Sequence, residues 1–174
     1  MSAPEDDDGV VVPDDLSSLT GEVPDDLSAL TGDEAPSVAL VVTQVALPEP
    51  LAAACALAKV DVDVVPSPVG AIAVLREPAQ AADGAQAVSR LLRQSPVVLL
   101  ERRSEAIAAS QWANGERGAD LPPGLVLSDA PSVLEDLLLG SVAPAELDGV
   151  VTSVGLSRWR ATRILAAGVR RGRS

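Results

Sequence analysis

The most specific chemical pattern in the chain is a pair of aspartates followed by two leucines three residues apart, written twice in succession. Val12–Glu22 reads VPDDLSSLTGE and Val23–Asp33 reads VPDDLSALTGD, a tandem repeat with two conservative differences. Each copy places Asp14 and Asp15, or Asp25 and Asp26, directly after a proline. Proline at the first helical position with carboxylates in the first turn is favourable helix-start chemistry. Leu16 and Leu19, and likewise Leu27 and Leu30, would then share one face of a single turn, which Thr-Gly ends. Two leucines do not offset the entropy of ordering eleven residues, so each copy is expected to be disordered alone. The chemistry is that of a linear motif that orders in a partner's apolar groove rimmed by Lys or Arg. Two copies would add avidity toward an oligomeric partner. The competing reading is a neutral duplication within a solubilising acidic tail.

A second constellation lies near the other end. If Ala161, Ile164, Leu165 and Val169 face inward on a helix, its period leaves Trp159, Arg163 and Arg170 near the opposite face. With Arg160, these residues would form a possible second interface. An exposed Trp beside arginines is interaction chemistry. Val150–Leu165 (VVTSVGLSRWRATRIL) has the outline of a helix-turn-helix, with Gly155 in the turn, Ser157 as cap and an Arg-bearing second helix. That outline would place the second helix in a DNA major groove. The near-neutral charge of residues 37–174 and the acidic tail both oppose this, because phosphate neutralisation drives DNA affinity. Charge segregation also admits a third arrangement, in which the acidic tail masks the arginine-bearing helix.

Catalytic chemistry is poorly represented. The chain has no His, no Tyr and one Lys, so the usual proton-transfer groups at neutral pH are missing. Cys55, the single cysteine, falls on the apolar face of an Ala-rich segment with no basic neighbour to lower its pKa. No phosphate-binding glycine loop and no nucleophile elbow occurs. A zinc site lacks ligands, and aspartate runs do not make a closed calcium site. No catalytic residue, metal or cofactor is expected, and the chain reads as a non-enzyme.

Placing these residues requires the elements around them. The chain has 174 residues, 47% of them hydrophobic, with no Phe or Tyr and two Trp. Its core must therefore be assembled from Ala, Val, Leu and Ile through many small contacts, and modest stability follows. The net charge of −12 is local, because residues 1–36 hold eleven acids and no base. Met1–Asp8 has no basic or apolar leader region, no run reaches the length of a membrane span, and the cytoplasm is the expected compartment.

From Ser37 the pattern is strand (37–44), helix (48–59), strands (60–65 and 71–76), helix (78–94) and strand (96–102). A hairpin partner is expected over 105–112, a loop over 114–118, an edge strand over 124–127 and a helix over 132–139. This β-α-β-β-α-β order predicts an α+β, ferredoxin-like sandwich, with helices on one face and the other open. A three-layer parallel fold is disfavoured because the second and third strands share only a short turn. The expected organisation is a disordered acidic tail (1–36), the sandwich (37–140) and a C-terminal helical pair (141–174).

The reading that follows is a non-enzymatic adaptor or regulatory protein binding another protein through PDDLSxLTG. The alternatives are a nucleic-acid-binding regulator using the C-terminal Arg/Trp helix and a small-ligand sensor. No membrane partner is expected.

Overall fold

The computed structural model describes residues 34–171, with side chains followed as far as Gly168. Contacts divide the chain after Glu34, and Ala35–Ser174 forms the second unit. The tail repeats, with Asp14, Asp15, Leu16, Leu19, Asp25, Asp26, Leu27 and Leu30, lie outside the described residues.

The fold is mixed α+β, built on a seven-stranded antiparallel sheet. In chain order the strands are β1 (Val38–Val42), β2 (Val62–Val65), β3 (Ile72–Leu75), β4 (Val97–Arg103), β5 (Ala106–Ala113), β6 (Glu116–Leu121) and β7 (Val151–Thr152). Five α-helices accompany them among the described residues: α1 (Pro48–Ala58), α2 (Ala81–Leu91), α3 (Pro123–Ser128), α4 (Ser132–Leu139) and α5 (Arg158–Arg171). The strand order is β6-β5-β4-β1-β3-β2-β7. It is longer than a βαββαβ sheet, with two strands added beyond β4 and one beyond β2.

Alternation along the strands divides the core in two. Ala39, Val41, Val62, Val64, Ala73, Val97 and Leu99 face α1 and α2, meeting Leu51, Cys55, Ala85 and Val88. Leu40, Val65, Ile72 and Leu100 face the other way and meet Leu134, Leu137 and Leu138 of α4. The expected open face is therefore closed. The central strands read as continuous apolar runs because both their faces are buried.

Further corrections to the sequence reading concern short elements. The 114–118 segment is a two-residue turn leading into β6. Asn114 and Gly115 have φ of 54° and 85°, the primed-turn geometry that suits a hairpin. That turn docks on α2, where the Gly115 N–H donates to Ser89 Oγ at 2.9 Å. Residues 124–127 belong to helix α3 rather than an edge strand, because Pro123 takes its first position after an extended Pro122. The C-terminal helical pair does not form. A 3₁₀ turn at Pro144–Glu146 is followed by Gly149 at φ 76°, then by β7. β-Branched Val151 and Thr152 pair with Val64 and Asp63. The helix-turn-helix outline fails with the loss of its first helix.

Candidate functional site

The site is built from α5 and the segment that enters α1. Ser157 caps α5, accepting from the Arg160 N–H at 3.3 Å, as its hydroxyl predisposes it to do. The cap is held in place through its neighbour β7. Ser153 Oγ accepts from the Val62 N–H at 2.9 Å and donates to the Val60 carbonyl at 2.8 Å. One hydroxyl thus ties the strand before α5 to the sheet. From there α5 packs along α1, with Ala161 fully buried and Gly168 facing Pro50.

The other wall is the turn between β1 and α1. The Ala71 N–H donates to the Val45 carbonyl at 2.7 Å, and Thr43 Oγ1 donates to the Ala71 carbonyl at 2.8 Å. Gly70 makes this crossing possible, since a Cβ there would lie 2.1 Å from the Thr43 oxygen. Pro48 then starts α1, and Leu47 is left 48% exposed.

Between these walls runs an apolar groove of about 600 Å³, lined by Val45, Leu47, Pro50, Ile164, Leu165 and Gly168, with Glu49 as its one acidic side chain. Glu49 and Ile164 also line an adjoining depression that contains Arg160. On the outer face of α5, Trp159 is 69% exposed, and the Arg163 guanidinium carbon stands 4.6 Å from its ring centroid. This cation–π pair at i,i+4 fixes both side chains in view of solvent. From Leu156 to Ser174 the sequence holds six arginines and no acid.

Of the sequence-predicted second interface, the structure brings Trp159 and Arg163 together and sets Arg160 beside the groove. Arg170 lies on α5, and its side chain is outside the described set. Ile164 and Leu165, expected to be buried, are half-buried because they line the groove. Sequence reasoning missed Leu47 and Pro50. They lie more than a hundred residues from Ile164, and no periodicity within either segment connects them.

The remaining chemistry does not converge. Cys55 is fully buried, and burial pushes its thiol up to about 12. A cleft between α1 and α2 is lined by Lys59, Asp61, Glu77 and Asp83, all four exposed. Among the described residues no group of three His, Cys, Asp or Glu could hold a metal ion, and no helix is long and apolar enough to cross a membrane. No family model matches the chain, and no curated protein or solved structure matches it.

Proposed function

We propose that this chain is a non-enzymatic adaptor or regulatory protein that binds other proteins, with the α5 face as the surface contributed by its folded part. The carrying observation is Trp159, 69% exposed, under Arg163 on a helix without acids. Trp and Arg dominate protein-binding hot spots, and the adjoining apolar groove would receive aliphatic side chains. The matching partner is an acidic segment bearing leucines. The duplicated PDDLSxLTG motif is the second binding element. The ferredoxin-like reading belongs to this proposal as well, with β4-β1-β3-β2 as the core and the outer strands as additions.

A defined probe tests the reading: a synthetic acidic peptide, unrelated to this chain, carrying a Leu-x-x-Leu pair. The full chain should bind it, and Trp159→Ala with Arg163→Ala should abolish binding without unfolding the protein. Failure of the wild-type chain to bind would overturn the proposal.

Nucleic-acid binding is the second reading, favoured by the acid-free arginine helix. A short DNA duplex distinguishes it, since phosphate contacts predict tight binding that collapses with salt. A small-ligand sensor would instead show a thermal shift with a metabolite and indifference to changes at α5.

A further inference from the structure

The PDDLSxLTG repeats call for an apolar groove with a basic border, and the structure contains such a groove. We infer that the groove between the Val45–Pro50 segment and α5 is the docking site for the repeat segment, residues 12–33, of a second copy of this chain. The inference rests on the protein-binding reading of α5 and names the partner.

Complementarity carries the match. Residues 1–36 hold eleven acids and no base, whereas Leu156–Ser174 holds six arginines and no acid. The groove offers Leu47, Ile164 and Leu165 to apolar side chains, and each repeat offers two leucines at one-turn spacing. Arg160 stands where the groove continues, and α5 runs on to Arg171 past its far end. The two aspartates preceding each leucine pair would meet this positive border. Glu49 is the one lining group of the wrong sign. Stoichiometry assigns the contact to another copy. Each chain brings two repeats and one such groove, so a repeat is always left to engage a neighbour, and successive chains can be linked with avidity.

Sedimentation of the full chain tests this directly. The wild type should associate with increasing concentration at low salt, and roughly 0.5 M NaCl should weaken that association about tenfold or more as the charges are screened. Changing Leu16, Leu19, Leu27 and Leu30 to Ala spoils the repeats, and Ile164→Glu spoils the groove. Each variant alone should stay monomeric, and an equimolar mixture of the two should form a complex. Leu47→Glu, at an exposed position, replaces Ile164→Glu if the latter fails to fold. A monomeric wild type, or variants that associate as it does, would overturn the inference. A monomeric wild type with an associating mixture would also overturn it, by placing the repeat in its own chain's groove. Binding of the unrelated acidic peptide with none of this self-association would leave the protein-binding reading intact and remove only the second copy.

Discussion

At the level of single residues, Trp159 and Trp112 show how differently one residue type is used. Trp112 is 7% exposed in the core, and its indole N–H donates to Ser110 Oγ at 3.0 Å. Trp159 makes no such bond and is held by Arg163 on the surface. The helical period in the sequence suffices to place Trp159 and Arg163 on an outer face. It cannot show that Ile164 and Leu165 border an opening, because that depends on how closely α1 approaches. Gly70→Ala should destabilise the fold by about 1–3 kcal/mol in denaturant melts, since the φ of 126° and the Thr43 oxygen both oppose a Cβ. Cys55 gives a pH prediction with a definite sign. Its thiol is raised to about 12 in the fold from 9.0, so the folded state keeps a proton that the unfolded chain loses. Its contribution to stability is complete below pH 9 and is lost as pH climbs toward 12. Thermal melts should show that decline, and Cys55→Ala should lack this component. A thiol reagent at neutral pH should label Cys55 only after unfolding.

Among the secondary-structure elements, those legible in the sequence are the ones with strong periodic or β-branched signals: β1 to β5, α1, α2 and α4. The misread ones are short. β6 (ERGADL) carries no apolar alternation because its strand is almost wholly exposed. α3 and a strand are indistinguishable over Gly-Leu-Val-Leu, where length cannot arbitrate. β7 has only two residues and exists through the hydroxyl of Ser153. Ser153→Ala should cost about 1–3 kcal/mol by stranding the Val62 N–H and the Val60 carbonyl, and should loosen α5. Hydrogen exchange should show the loss first in α5, while β1 and β4 stay protected. Leu138, fully buried on α4, closes the second face of the sheet. Leu138→Ala should cost about 2–5 kcal/mol in the same denaturant melts.

Over the whole molecule, charge is sorted along the chain. Apart from the tail acids and the six C-terminal arginines, residues 37–155 carry fourteen acids and seven bases. The basic helix is therefore a local feature on an acidic background, suited to selecting an acidic partner and poorly suited to phosphate-rich surfaces at ordinary salt. The sequence displays this segregation plainly. The groove beside the basic helix is a product of tertiary packing, since β7 and the Gly70 turn bring its two walls together.

The most direct measurement is the emission of Trp159 as the full chain is titrated with the unrelated acidic Leu-x-x-Leu peptide, which contains no Trp. Buried Trp112 supplies a constant background, and Trp159→Phe identifies the signal. A saturable blue shift, weakened by salt and absent with a peptide in which Lys replaces the acids, is the expected result. An emission spectrum that does not move, or that responds equally to the acidic and basic peptides, would contradict the assignment of α5 as a surface for acidic protein segments.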